Sequence, residues 1–485
     1  MSAQTELVER PLYIDGEWLE SSGDETIPVE NPTTEEIIAD VPSAGPSDVE
    51  HAIEAAQRAS FDWARRPAKE RGQFVRRIGE VLEAKADEVA ELIVDEQGKP
   101  RKSAGGEVES AVEMAEYMSE WARRIEGDIL PGDSRRETIH IMRRPHGVVA
   151  AITPWNYPVA VFMRKIAPAL VTGNTVVAKP TEVTPLAVLR VAELIDEGVE
   201  LPDGVFNLVT GAGEVGERLV TAQGTDMITM TGHADTGKEI MRTAADQLKP
   251  VSLELGGKAP AIVWKDADID EAVDHVLTAR VTNAGQVCTC AERIYVHSDV
   301  ASEFQSKFVD AAEGIRMGDP REDPDMGPQV SSAELEKTER AVERATEQGA
   351  RVVTGGRRPD GERFERGYWY EPTVLSEVTQ DMDIVHEEVF GPVSPILEID
   401  SLEEAIEFSN DSKYGLSSYV YTNDYRTAMR LAEDLEFGET YVNRTLGESK
   451  QGHHIGWKQS GMGGEDGKYG VLKYTQLKTV YHNYE

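Results

Sequence analysis

Between Gly147 and Leu255, short apolar runs alternate with longer stretches of helical spacing, and no other feature restricts the fold as strongly. Gly147 to Thr153, Asn174 to Lys179, Val205 to Thr210, Met227 to Thr231 and Val251 to Leu255 read as strands. Short apolar runs of this kind suit strands covered on both faces, and the stretches between them supply the covering helices. The spacing predicts an α/β fold with a parallel sheet and crossover helices. Ligands should then gather in the loops that follow the strands' carboxyl ends.

The rest of the chain frames that sheet. Residues 50 to 122 are helix-rich, with Val49, Ala52, Ile53 and Ala56, then Phe74, Ile78 and Leu82, at helical spacing, and Asp48 in the N-cap region of the first helix. A second α/β set runs from Ala259 to about Asn443 and includes Arg293 to Val296, Ser394 to Glu398 and Thr440 to Asn443. Thr138 to Arg144 and the tail Tyr474 to Tyr481 alternate like strands, and the expectation is that they pair between subunits. No internal repeat or low-complexity block interrupts the pattern.

With 485 residues, two to three domains are expected. Fifty Lys plus Arg against 88 Asp plus Glu give a formal net charge of −38, which argues against nucleic-acid or anionic-membrane partners. The acid is spread through amphipathic stretches such as Glu80 to Asp95, as on a salt-adapted, halophilic surface. Met1 to Arg10 lack an apolar signal region, and no apolar run approaches the roughly 18 residues a membrane span needs. Two cysteines cannot build a disulfide framework, so a reducing, cytoplasmic setting is expected.

Both cysteines, Cys288 and Cys290, lie behind a Gly-Gln step in Asn-Ala-Gly-Gln-Val-Cys-Thr-Cys. A lone cysteine is more often a packed small side chain than a nucleophile, and a Cys-x-Cys pair without further ligands makes a poor metal site. The strand-end loops add other chemistry. Asn156, in Thr153-Pro-Trp-Asn-Tyr-Pro158, offers either an oxyanion donor or a helix cap. Lys179 and Glu182 suit two ribose hydroxyls, or form a surface ion pair; the carboxylate disfavours a 2′-phosphate and so favours NAD over NADP. Gly211 to Gly216 is a glycine-rich turn before a helix, a weak dinucleotide signal alone, and Thr231-Gly232-His233 could bring backbone donors to a pyrophosphate. Glu254 is a general base or a structural carboxylate, and Glu388 with Phe390 offers a ribose contact and a nicotinamide wall, or a self-packed loop.

Taken jointly, these segments resemble the NAD(P)-dependent aldehyde dehydrogenase superfamily over nearly the whole chain. The resemblance implies a Rossmann-type cofactor domain from 1 to 122 and 146 to 253, a catalytic domain from 254 to 457, and oligomerisation segments at 123 to 145 and 458 to 485. It implies Cys288 as nucleophile, Asn156 as oxyanion donor, Glu254 as base, and Lys165 with Glu465 as a proton-relaying pair. Thr153, Trp155, Lys179, Glu182, Gly211, Gly216, Thr231, Gly232, His233, Leu255, Glu388 and Phe390 would line NAD, with NADP as the alternative. No metal is implied, and a homotetramer or homodimer is expected. Two departures touch the pyrophosphate side: His233 replaces a common serine, and the Gly211 to Gly216 turn is one residue short.

Within the superfamily, Val287 to Arg293, Trp121 to Arg124, Phe437 to Arg444 and Gln451 to Trp457 are similar to lactaldehyde and glycolaldehyde dehydrogenases. That similarity places Arg164, Glu448 and His454 at a small hydroxyaldehyde, although Arg164 and Glu448 would equally suit a structural ion pair. A semialdehyde dehydrogenase whose substrate carboxylate meets Arg164 is the runner-up. A thiol esterase without redox chemistry and a non-catalytic protein are the competing classes. Cys290 is read as a packed side chain, with a reversible disulfide to Cys288 as the sharper alternative.

Overall fold

The computed structural model describes residues 6–484. Five parallel strands form the centre of the first sheet: β1 (Val148–Ile152), β2 (Thr175–Lys179), β3 (Phe206–Leu208), β4 (Met227–Thr231) and β5 (Val251–Glu254). Their order is β5-β4-β1-β2-β3, so the winding reverses between β1 and β4 and opens a crevice at their carboxyl ends. Antiparallel edges complete the sheet, with Gly461–Met462 beside β5 and Leu12–Ile14 beside β3.

Alternation along β1 explains the two-sided cover. Val149 and Ala151 pack into a core with α2 (Ala68–Glu83), α3 (Ala86–Gln97), α4 (Arg101–Glu120), α5 (Pro158–Thr172) and α6 (Leu186–Val199). Val148 and Ala150 face the opposite core, with α1 (Pro46–Arg65), α7 (Gly213–Thr221) and α8 (Ala234–Ala245). In α1 the expected stripe of Val49, Ala52, Ile53 and Ala56 is buried. Asp48 sits at the third helical position rather than at the cap, where its carboxylate accepts the Gly45 N–H at 2.8 Å.

The second sheet is also largely parallel. It contains β6 (Ala259–Val263), β7 (Ala291–His297), β8 (Thr373–Ser376), β9 (Val393–Ile399), β10 (Ser417–Tyr421) and β11 (Glu439–Val442), ordered β8-β9-β7-β6-β10-β11, with Arg351–Thr354 antiparallel outside β8. Helix α9 (Ile269–Val281) connects β6 to the loop that carries Cys288.

The tail departs from expectation. Thr475–Asn483 pairs antiparallel with Glu137–Pro145 of the same chain, from Thr475 opposite Pro145 to Asn483 opposite Glu137. Glu137–Pro145 also pairs with Asp128–Pro131 on its other side, so Thr475–Asn483 forms an edge of a three-stranded sheet, with Leu477 and Tyr481 exposed. Among the described residues, no helix is long and apolar enough to cross a membrane.

Candidate active site

The loop between α9 and β7 is wound tightly to present Cys288. Asn283, Ala284 and Gly285 take left-handed backbone angles, with φ of 50°, 54° and 78°. At Gly285 a Cβ would lie 2.4 Å from the Gly391 carbonyl oxygen, so only glycine permits this approach. Side chains hold the unusual turn: Gln286 Nε2 donates to the Asn283 carbonyl at 2.9 Å, and Gln286 Oε1 accepts from Val330 N at 2.9 Å.

Asn156 is fastened to the same loop. Its Nδ2 donates to the Gln286 carbonyl at 2.9 Å, while its own carbonyl accepts from Asn283 Nδ2 at 3.1 Å and Lys99 Nζ at 2.9 Å. The capping alternative fails. Glu107, ion-paired with Lys99, instead accepts Val159 N at 2.9 Å and Ala160 N at 3.2 Å at the start of α5. The Gln286 carbonyl thus takes up one of the two Asn156 amide hydrogens.

The two cysteines sit in different surroundings. Cys288 is partly accessible, and both thiols are free. Burial pushes the Cys288 thiol up, opposed by a hydrogen bond with His454. Cys290 is 1% exposed and burial pushes its thiol up to about 12, so it is protonated at neutral pH.

A cavity of about 440 Å³ joins these groups to both strand-end clusters. Trp155, Asn156, Thr231, Gly232, His233, Glu254, Leu255, Cys288, Glu388 and Phe390 line it together with Arg164, Glu448, His454 and Glu465, whereas Lys179, Glu182, Gly211 and Gly216 lie outside its lining. Glu254 ends β5 with both carboxylate oxygens buried and without a hydrogen-bond partner. Desolvation pushes it up to about 8, so near neutral pH it can both take and release a proton. Behind it, Lys165 Nζ lies 2.6 Å from Glu465 Oε1 and 3.2 Å from Thr229 Oγ1.

Charged side chains pair with Arg164 and His454 of the cavity lining. Arg164 Nη2 is 3.1 Å from Asp466 Oδ2 and 3.8 Å from Glu448 Oε2. His454 Nδ1 is 3.2 Å from Glu439 Oε1, and Nε2 is 3.8 Å from Glu254 Oε2. Ligand atoms of Glu439, Glu448 and His454 lie within 4.8 Å of one another, and within this cluster His454 pairs with Glu439 while Glu448 pairs with Arg164. Sequence reasoning missed Asp466, Glu439, Lys99 and Glu107. Glu439 lay inside the quoted Phe437 to Arg444 stretch and Asp466 directly follows Glu465, yet only folding reveals their partners.

On the cofactor side, Lys179 is buried while the Glu182 side chain is 42% exposed, so their 3.5 Å pair joins a buried ammonium to a carboxylate at the surface. Its Nζ also donates to the Pro180 carbonyl at 2.9 Å. Gly211 packs its backbone against Val215 at φ 150°, and Gly216 lies over the Lys179 side chain. Exposed His233 caps α8, its Nδ1 accepting from Asp235 N at 3.3 Å. Phe390 adopts φ 57° and stands edge-on to Trp155, ring centroids 5.4 Å apart. Its backbone N–H and that of Val389 donate to Glu292 at 3.0 Å each. Glu388 accepts the Gly257 N–H at 2.7 Å. Buried hydroxyls of Thr153 and Thr231 have no partner, so this crevice offers uncommitted polar groups that fit a dinucleotide.

Comparison with known proteins completes the picture. The model of the aldehyde dehydrogenase family matches residues 18–480. The chain is 46% identical over 477 residues to lactaldehyde dehydrogenase of Escherichia coli strain K12, covering 98% of each protein. The chain belongs to the aldehyde dehydrogenase family. A second relative of this aldehyde dehydrogenase is 3,6-anhydro-alpha-L-galactose dehydrogenase of Vibrio sp. strain EJY3, 45% identical over 476 residues, with 98% of this chain and 99% of the relative covered. A solved 3,6-anhydro-L-galactose dehydrogenase in complex with NAP superimposes with a TM-score of 0.95 at 47% identity, covering 97% of this chain and 99% of that one. Aldehyde dehydrogenases use NAD or NADP.

Proposed function

We propose that this aldehyde dehydrogenase oxidises a small hydroxyaldehyde, of the lactaldehyde or glycolaldehyde type, to its carboxylic acid with NAD. The observation that carries the reading is that Arg164, Glu448 and His454 line the same cavity as Cys288. A hydroxyl on the aldehyde's α-carbon can add hydrogen bonds to these already ion-paired groups, at about 0.5 to 1.5 kcal/mol each, which an aliphatic chain cannot make. The lactaldehyde dehydrogenase relative supports the same substrate class. For the cofactor, Glu182 beside Lys179 at the end of β2 favours a free ribose hydroxyl over a phosphate.

In this reading Cys288 adds as a thiolate to the aldehyde carbon, and the other Asn156 amide hydrogen and the Cys288 N–H receive the oxyanion of the thiohemiacetal. When bound, nicotinamide supplies the hydride acceptor. The Cys288 thioester is then hydrolysed by water that gives its proton to a Glu254 oxygen. Lys165 and Glu465 carry that proton onward through their 2.6 Å contact. Trp155 and Phe390 wall the nicotinamide, and Glu388 contacts its ribose. The reading includes a homo-oligomer formed through the exposed face of Thr475–Asn483 and a salt-adapted surface.

An anionic semialdehyde is the weaker substrate because Asp466 and Glu448 already flank Arg164. Steady-state kinetics with lactaldehyde, glycolaldehyde, succinic semialdehyde and hexanal, with each nicotinamide, test the proposal. The hydroxyaldehydes with NAD should give the highest kcat/KM. Arg164→Leu should raise KM for lactaldehyde roughly 10- to 100-fold and leave hexanal nearly unchanged. Equal effects on both aldehydes, or a preference of the unmodified enzyme for succinic semialdehyde, would overturn it.

A further inference from the structure

We propose that Glu439 is a positioning residue for the nucleophile, acting through His454 to hold a charged imidazole against Cys288 and so stabilise its thiolate. His454 is 2% exposed, lines the same cavity as Cys288, and is among the groups that favour the Cys288 thiolate against burial. An imidazole so placed lowers the cost of a thiolate only while it is protonated, and burial alone would strip that proton. A carboxylate must therefore stand behind it.

Four carboxylates face the ring: Glu439 from β11, Glu254 from β5, Glu448 from the following loop, and Asp466 near the C-terminal helix. Three of them are compromised. Glu448 and Asp466 flank Arg164 from α5, and Glu254 is itself protonated for much of the neutral range while Nε2 stands 3.8 Å from it. Glu439 is the closest, 3.2 Å from Nδ1, and the Tyr441 hydroxyl fixes its other oxygen at 2.8 Å. With these carboxylates around it, His454 is raised well above the ordinary imidazole value against the opposing effect of burial. In the resting equilibrium the Cys288 thiol proton leaves to water, and His454, already charged, gains none. The aldehyde then meets a thiolate whose counter-ion is set from the second sheet, and the general base on the first sheet is left free for water.

The inference rests on Cys288 as nucleophile, yet the thiol can be titrated without aldehyde or nicotinamide. Its failure would thus leave the hydroxyaldehyde reading standing. In the full-length enzyme, the rate of Cys288 alkylation by iodoacetamide is followed from about pH 5.5 to about pH 10, with the modified peptide identified by mass. Glu439→Gln should move the midpoint up by about one unit, which makes alkylation below the midpoint about tenfold slower. Glu439→Asp, which keeps the charge, should restore most of the shift. His454→Gln should reproduce the shift, and adding Glu439→Gln to it should change nothing more. An unmoved midpoint in Glu439→Gln, or independent additive shifts in the double variant, would overturn the proposal. If Glu439→Gln does not fold, an unmoved midpoint in His454→Gln overturns it equally, and a raised one with recovery in Glu439→Asp supports it.

Discussion

Glu292 and Glu254 are the same residue type, each only 2% exposed, and they stand on either side of the cysteine loop in opposite states. Glu292 is saturated: Lys258 Nζ lies at 2.7 Å, Arg280 Nη1 at 3.3 Å, and the Val389 and Phe390 N–H groups at 3.0 Å each. Burial works against its charge, but the two cations and the backbone donors prevail and hold it down at about 2. Glu254 has no hydrogen-bond partner on either oxygen, and burial pushes it up to about 8. A buried carboxylate can thus anchor a structure or keep its proton exchangeable, and the number of donors aimed at it decides which. Glu292 uses its saturation to clamp the strained backbone at Phe390, while Glu254 remains free to act.

The largest effect separating the two should come from Glu254→Gln. Without an exchangeable proton at this position, kcat should fall about 10²- to 10⁴-fold. Thermal stability should stay level or rise, because the exchange removes a buried acid that accepts no hydrogen bond. Steady-state kinetics and calorimetry read both quantities. A lowered melting temperature with kcat retained would place Glu254 in the anchoring class with Glu292.

Glu292→Gln should show the reverse pattern. Lys258 and Arg280 would be left buried without a counter-charge, at a cost of about 3 to 5 kcal/mol in a denaturant titration. In the fraction that remains folded, the released Val389 and Phe390 N–H groups should loosen the wall opposite Trp155, so KM for NAD should rise more than kcat falls. A variant as stable as the unmodified enzyme would show that the clamp is redundant.

The contrast between these two carboxylates also marks where sequence reading reached its limit. The runs behind β1, β2, β4 and β5 were legible because strands buried on both faces need apolar residues at almost every position. β3 is shorter than its Val205 to Thr210 run because Thr210 turns to bond Pro42 and Ala44, contacts with a distant segment. Cys288, Glu254 and Asn156 stood out because each sits in a local motif at a strand end or loop. Glu439 and Asp466 are ordinary acids in a chain with 88 of them, and they acquire meaning only when His454 and Arg164 arrive from elsewhere. The same holds for Glu292, four residues after Cys288 in the Val287 to Arg293 stretch, whose partners come from Lys258 just before β6, from α9 and from the loop at Phe390. Pairing of the tail with Glu137–Pro145 was likewise invisible, because alternation identifies a strand and not its neighbour.

The smallest expected effect is a difference in pH slope, and it tests the comparison without depending on catalysis. Glu254 is raised from an ordinary 4.5 to about 8, so the folded protein holds a proton that the unfolded chain has released. Stability linked to that proton is complete below about pH 4.5 and is lost as pH rises toward 8. Glu292 is lowered, so its contribution is complete above about pH 4.5 and is lost as pH falls toward 2. Each group can alter the slope by at most one proton, about 1.4 kcal/mol per pH unit. Melting temperatures measured across pH should therefore fall less steeply on the alkaline side in Glu254→Gln, and less steeply on the acid side in Glu292→Gln. Some alkaline slope should persist in the first variant, since Glu96 and Glu388 are raised by burial to about 8 and about 7 and titrate in the same window. Parallel curves for both variants and the unmodified enzyme would mean that the two carboxylates share one protonation state, and the distinction between anchor and base would then have to rest on position alone.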